Sequence, residues 1–228
     1  LLFGKNPQKF FSDHFEIKSL VITGVSTEIA EELRALTQLE ADAGINLLTV
    51  NAREIGRTIL KHPKIRSVRV NKHYPNALVI EAMERVPVAV VASGALYLVD
   101  REGYVLDMVK NLSLEQRGFP FITGIERRMI AFGEPIPTSA ISNALDLFEC
   151  LNRKNEKLAG QLSEIRVEED DSLTLVLTGG VEVHLGSQDF ARRLAKLEFM
   201  TRELEDFDTL DYIDLRFEDQ IVYRPRNG

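Results

Sequence analysis

Few side chains in this 228-residue sequence stand at the spacings that chemistry requires. Its four histidines, His14, His62, His73 and His184, are scattered, and no two share a helix face as a metal site would need. Cys150 is the only cysteine, within a helical spacing of Ala144, Leu145, Phe148 and Leu151, so it reads as a small buried hydrophobe and not as a reactive thiol. The acidic run Glu168 to Asp171 lacks the alternating oxygen ligands and closing glutamate of a calcium loop, and reads as a solvated hairpin turn. Gly179-Gly180 falls between two strands, where a hairpin calls for positive φ; no phosphate-cradling loop, dinucleotide fingerprint or nucleophile elbow occurs. Asn111-Leu112-Ser113 matches a glycosylation sequon, a pattern common by chance. An enzyme would need His184, Asp170 or Cys150 to converge in a pocket. The sequence therefore predicts no catalytic residue, no metal ligands and no cofactor.

Charge narrows the partner class. The net charge is −7, and residues 1–84 carry 11 basic and 10 acidic side chains against 17 and 25 in residues 85–228. An acidic surface without basic runs interleaved with aromatics repels phosphate backbones, which argues against nucleic acid and for a protein partner. At this length roughly 70–75% of the unfolded surface is buried on folding, enough for one large or two small domains without disulfides. No stretch approaches the roughly 20 apolar residues that span a bilayer. The opening Leu1-Leu2-Phe3-Gly4-Lys5 reads as a cut end, so a span or signal is expected before Leu1.

The elements that would position these residues alternate between short strands and a few helices. Phe15 to Thr23 reads as a strand ended by Gly24. Ser26 caps a helix with apolar positions Ile29, Leu33 and Leu36, and Asn51 with Glu54 has the capping-box pattern of a second helix through Ile55, Ile59 and Leu60. Pro63 stops that helix. Ile65 to Val70 and Ala77 to Ala82 are strands joined by the turn Tyr74-Pro75-Asn76, giving the order β-α-α-β-β. The strand pattern restarts after Glu84-Arg85-Val86-Pro87, where a domain boundary is placed without a flexible linker. Strands follow at Val88 to Val91, Leu96 to Val99, Tyr104 to Leu106, Phe119 to Ile122, Ile165 to Val167, Leu173 to Leu177 and Val181 to Leu185. A helix capped by Thr138 or Ser139 runs to about Asn152, and a second, capped by Ser187, buries Phe190, Leu194, Leu197 and Met200. Two last strands, Leu210 to Phe217 and Gln220 to Arg224, flank Glu218-Asp219 and are closed by Pro225. The fold class is α+β: a β-α-α-β-β domain followed by a mainly antiparallel β domain with two helices.

Taken together, Phe15-Glu16-Ile17 through Gly24, Gly44-Ile45-Asn46, Pro63-Lys64-Ile65, Val68-Arg69-Val70, Tyr74-Pro75-Asn76 and Ile80 through Ala89 resemble a POTRA domain followed by the junction of the bacterial cell-division family FtsQ, called DivIB in Gram-positives. Leu98-Val99-Asp100 with Gly103, Phe119-Pro120 to Gly124, Val181 to Gly186, Arg193-Leu194 and Tyr212-Ile213-Asp214-Leu215-Arg216-Phe217 resemble that family's second, β-rich domain. The resemblance implies four segments: 1–14 membrane-proximal, 15–84 POTRA, 85–224 β domain and 225–228 a C-terminal tail. It also implies a non-catalytic divisome scaffold, anchored in the cell inner membrane by one transmembrane helix N-terminal to this chain. The folded part would lie in the periplasm, concentrated at the division septum. Implied partners are FtsB-like and FtsL-like division proteins and, near the membrane through the POTRA unit, an FtsK-like protein. A POTRA-bearing transport or outer-membrane assembly module is the competing reading.

The same resemblance places the FtsB contact at the C-terminus, by strand addition to a sheet edge. It maps onto Arg216, Phe217, Gln220, Ile221, Val222, Tyr223 and Arg224, with Arg216 as a candidate for pairing with a carboxylate. Ile213, Leu215 and Phe217 would share one strand face, which leaves Phe217 as core or interface, while Asp214 and Arg216 on the other face would be solvated. Two departures stand out: the family usually has Tyr or Trp where Phe217 stands, and Gly in the turn where this chain has Glu218-Asp219-Gln220.

Overall fold

The computed structural model describes residues 14–113, 115–204 and 207–226. The chain divides into two compact units between Val86 and Pro87. In the first unit, β1 (Ser19–Thr23) is followed by α1 (Thr27–Thr37), α2 (Ala52–Ile59), β2 (Ile65–His73) and β3 (Ala77–Glu84). The sheet order is β1-β3-β2, with β1 parallel and β2 antiparallel to the central β3. The predicted β-α-α-β-β order is thus present, though the first strand is shorter than its apolar alternation suggested. Residues before Ser19 leave the ladder: Glu16 bridges to Asn46, and Ile17 N–H donates to the Ile45 carbonyl (2.8 Å).

Both helices begin where side chains satisfy orphan backbone donors. Ser26 Oγ accepts from the Ile29 amide, and Asn51 Oδ1 accepts from the amides of Arg53 and Glu54, so one side chain caps α2 twice. The buried faces of the helices, Ile29 and Leu33 from α1 and Ile59 from α2, close on Leu78 and Ile80 of β3. Each such side chain contributes roughly 1.5–3 kcal/mol by leaving water.

The second unit holds one nine-stranded sheet, formed by β4 (Pro87–Ala92), β5 (Leu96–Asp100), β6 (Val105–Val109), β7 (Phe121–Thr123), β8 (Leu162–Val167), β9 (Leu173–Leu177), β10 (Glu182–Gly186), β11 (Leu210–Asp214) and β12 (Val222–Pro225). Its order is β12-β11-β10-β9-β8-β7-β4-β5-β6. Five neighbouring pairs are antiparallel, and three, β4–β7, β7–β8 and β10–β11, are parallel. The sheet is mainly antiparallel as predicted. The parallel pairs arise where a helix or long segment carries the chain across: α3 (Ser139–Lys154) and the one-turn α4 (Glu156–Ala159) between β7 and β8, and α5 (Phe190–Glu203) between β10 and β11. The helix count of two is corrected by α4, whose single turn is too short to show a periodicity; Asn155 Oδ1 caps it at the Leu158 amide. Ser187 is likewise not the cap of α5: Asp189 stands there in left-handed geometry, with φ 58°.

All three helices lie on one face. Ile141, Leu147 and Leu151 of α3, Leu158 of α4 and Leu194 and Leu197 of α5 pack on Ile122, Ile165, Leu175, Val183 and Ile213. On the other face Val90, Leu98 and Leu106 cluster with Phe121 of the neighbouring β7 and pack against Leu112 and Phe119. Burial on both faces explains why β4 is a continuous apolar run instead of an alternation.

Two glycines end comparable strands. Gly24 after β1 and Gly124 after β7 have φ of 82° and 83°, and an added Cβ would stand 2.0 Å from the Ala82 carbonyl oxygen and 1.9 Å from that of Val167. Neither backbone oxygen can yield without breaking its strand. Gly124→Ala is expected to destabilise the chain by more than about 2 kcal/mol, combining left-handed strain with the backbone collision. Urea unfolding monitored by circular dichroism measures this; a change within about 0.5 kcal/mol of wild type would refute the close approach.

Candidate partner-binding edge

An open sheet has two edge strands, here β6 and β12. The first half of β6 is closed from outside: the Val105 amide donates to the Glu134 carbonyl (3.1 Å), and the Gly133 amide donates back to the Val105 carbonyl (2.9 Å). Tyr104 and Val105 bridge Pro135 and Phe132. Along the outer side of β12 no strand runs among the described residues.

The direction of each backbone group on β12 follows from the ladder. β11 lies between β10, parallel, and β12, antiparallel. The Leu215 amide donates to the His184 carbonyl (3.0 Å), so odd-numbered residues of β11 aim their backbone at β10 and even-numbered Tyr212 and Asp214 aim theirs at β12. Their register partners, Arg224 and Val222, therefore face inward. The Arg226 amide continues the alternation by donating to Thr209 (2.8 Å). Tyr223 is left with its N–H and C=O directed away from the sheet. Pro225, two residues on, shares that direction and brings an acceptor without a donor.

Side chains hold this strand in place. Arg224 Nε donates to Asp211 Oδ2 (2.9 Å), and its guanidinium lies 4.8 Å from the centre of the Tyr212 ring. Arg226 donates to the Gly179 carbonyl (3.1 Å). Tyr212 in turn stands against His184 (5.7 Å between rings), whose Nδ1 is 3.1 Å from Thr174 Oγ1.

The expected strands 210–217 and 220–224 are shorter than the sequence suggested. β11 ends at Asp214, and β12 starts at Val222. The cause is a loop anchored by charge. Asp214, only 6% exposed, accepts from the Arg216 amide (3.0 Å) and Nε (2.9 Å) at Oδ1 and from an Arg216 Nη (2.6 Å) at Oδ2. Lys196 of α5 donates to the carbonyls of Phe217 (2.8 Å) and Glu218 (2.6 Å), and Arg192 donates to that of Glu218 (3.2 Å). These carbonyls are thereby drawn out of the ladder. Gln220 and Ile221 accordingly precede the strand instead of opening it.

The seven residues expected at the contact do come together at this edge, in different roles. Arg216 and Phe217 sit in the loop, and Phe217 is 45% exposed instead of sharing the buried face of Ile213 and Leu215. Ile221 packs on the core margin, Val222 is half-buried, and Gln220, Tyr223 and Arg224 are exposed. Asp214 is buried and paired, not solvated, and the carboxylate that Arg216 engages belongs to this chain. Sequence reasoning missed Asp211, Lys196 and Arg192, and it gave Asp214 and Pro225 other roles, one as a solvated residue and the other as the stop after the last strand; Lys196 and Arg192 come from another element. The residues considered for catalysis do not converge. His184 points to the sheet face opposite the one that buries Val183 and Leu185, Cys150 lies on α3, packed against the core on that buried face, and Asp170 accepts from the Ser172 amide in the β8–β9 turn. Among the described residues no group of three or more His, Cys, Asp or Glu side chains could hold a metal ion.

Burial works to raise the Asp214 pKa, but the hydrogen bonds and charge of Arg216 outweigh it and hold the carboxyl below the usual carboxylate range. The hydrogen bond to Asp214 likewise raises the Arg216 pKa.

The family model for the POTRA domain, FtsQ-type, matches residues 15–85, and that for cell division protein FtsQ/DivIB, C-terminal, matches residues 89–216. The chain is 31% identical to cell division protein FtsQ of Geotalea daltonii over 213 residues, covering 92% of this chain and 76% of that protein. It is 29% identical to that of Syntrophotalea carbinolica over 218 residues, covering 94% and 76%. For the protein of Myxococcus fulvus the figures are 32% over 193 residues, 85% and 66%.

Two outcomes follow from the geometry. Val222→Pro removes an inward donor and one ladder hydrogen bond, costing at least about 1 kcal/mol in urea unfolding, while Tyr223→Pro leaves the ladder intact and unfolds close to wild type; the reverse order would invert the assignment of faces. A carboxyl whose folded pKa is depressed stabilises above its unfolded pKa, about 3.9, and loses that contribution as pH falls through the folded value. Between pH 7 and pH 3, Asp214→Asn should therefore lose stability less steeply than wild type below about pH 4; parallel curves would show that Arg216 does not hold the carboxylate ionised.

Proposed function

The chain belongs to the FtsQ/DivIB family of cell-division proteins, and from that premise we propose that it is a non-catalytic divisome scaffold that recruits FtsB-like and FtsL-like proteins by strand addition at β12. The carrying observation is that no strand among the described residues pairs with the outer side of β12, with Tyr223 N–H and C=O directed outward while the first half of the opposite edge is occupied. Main-chain hydrogen bonds at such an edge give affinity, and side-chain pockets beside it give specificity. Phe217 at 45% and Tyr223 at 49% exposure supply apolar contact area next to the strand. Pro225 limits the outward donors to Tyr223 and, if the pairing extends, Ile221, so the recognised segment is short.

The remaining assignments rest on family membership. No described helix is long and apolar enough to cross a membrane, and a single N-terminal transmembrane helix outside this chain is proposed to anchor it to the cell inner membrane. Residues 15–84 and 85–224 then act in the periplasm at the division septum, with the first offering a separate surface to an FtsK-like protein. The chain's continuous match to both FtsQ-type domains favours this reading over a transport or outer-membrane assembly module.

Titration calorimetry with the extracytoplasmic segment of the FtsB-like protein from the same organism tests the proposal. Wild type should bind in the micromolar range or tighter, about −8 kcal/mol or better, and Tyr223→Pro should weaken binding at least about tenfold while remaining folded. Equal binding by both proteins would remove β12 as the contact, and no binding by wild type would overturn recruitment of this partner.

A further inference from the structure

The loop between β11 and β12 contains a side chain that is charged, half in solvent and nevertheless fixed. Arg216 is bound through backbone and guanidinium to one carboxylate: Asp214 Oδ1 takes the amide and Nε, and Oδ2 takes one Nη. The first contact sets the turn and the other two set the plane of the guanidinium, so rotation about the side-chain bonds would break a charge-assisted pair. The stem is confined as well. It lies over Gly186, where an added Cβ would stand 3.4 Å from Arg216 Cγ. Arg193 passes beside the same glycine and donates to the Leu185 carbonyl. Glu168 and Asp170 of the β8–β9 turn add electrostatic attraction for the Arg216 charge. The Arg216 side chain remains 50% exposed, against 9% for that of Asp214.

We infer that Asp214 is a positioning residue, which presets the Arg216 guanidinium so that its outward donors meet a hydrogen-bond acceptor on the partner without a further loss of side-chain freedom. The inference rests on the proposal that the partner adds at β12. A free arginine would lose rotamer entropy on binding; one already held by a buried carboxylate has lost it on folding. Asp214 itself does not touch the partner, because burial and three hydrogen bonds to Arg216 occupy its oxygens.

Two measurements on the soluble chain separate this from a merely structural role. In a nitrogen-15 arginine spectrum at neutral pH and low temperature, the Nε–H of Arg216 should give a sharp, exchange-protected peak, assigned by its loss in Arg216→Lys. The peak should broaden or disappear in Asp214→Asn but persist in Asp211→Asn, which releases only Arg224. In titrations with the same FtsB-like segment, Arg216→Lys keeps the charge but cannot bridge both carboxylate oxygens, so it should weaken binding about tenfold. Asp214→Asn should weaken it to a similar degree, with no further loss in the double variant. A persistent Arg216 peak in Asp214→Asn, wild-type affinity in Arg216→Lys, or additive losses in the double variant would overturn the inference. Absence of wild-type binding would defeat the proposed recruitment, while the spectrum would still decide whether Asp214 holds Arg216.

Discussion

A sheet that does not close on itself ends in strands whose outward amides and carbonyls lack partners, and this constraint organises the second unit. The chain treats the two edges of this nine-stranded sheet differently. At β6 the segment around Gly133 and Glu134 supplies backbone hydrogen bonds to Val105. At β12 the strand is only four residues long, carries a proline on its outer side and is fastened by Arg224 to Asp211 and by Arg226 to Gly179. Short length and proline limit indiscriminate pairing, while Tyr223 still presents one donor and one acceptor to a fitting segment.

The loop before β12 depends on the same edge. Because β11 stops at Asp214, that carboxylate sits where a ladder would otherwise continue, and burial would make it costly without a cation. Arg216 meets that need two residues on. Lys196 and Arg192 from α5 then collect the carbonyls of Phe217 and Glu218, so that the helix crossing the sheet also shapes the loop at its margin. Phe217 is turned from the core to the surface as a consequence, beside the strand through which the proposed partner would add.

Element identity was largely legible because it depends on local pattern. Ser26, Asn51 and Thr138 announce their helices through the side-chain oxygens that cap them; Gly24 and Gly124 mark strand ends that only a residue without Cβ can turn. The family resemblance was readable for the same reason, since it is carried by short runs such as Tyr74-Pro75-Asn76 and Asp214-Leu215-Arg216. The excess of acidic over basic side chains in residues 85–228 was equally legible, because charge is a matter of composition.

Strand ends and side-chain roles near the proposed contact were not legible. Alternation through Ile213, Leu215 and Phe217 reads as one continuous strand, yet the charges that interrupt it come from α5, some twenty residues earlier in sequence and adjacent only after folding. The α4 turn is too short for any periodicity, and the parallel pairs of the sheet follow from how helices cross it. By itself the sequence determined most of the segments that are helix or strand and which family the chain belongs to, because those features rest on neighbouring residues. The tertiary structure alone decided which strands form the two edges of the sheet, which backbone groups of β12 face outward and which residues collect the carbonyls of Phe217 and Glu218, because each depends on hydrogen bonds between segments that only the assembled sheet brings together.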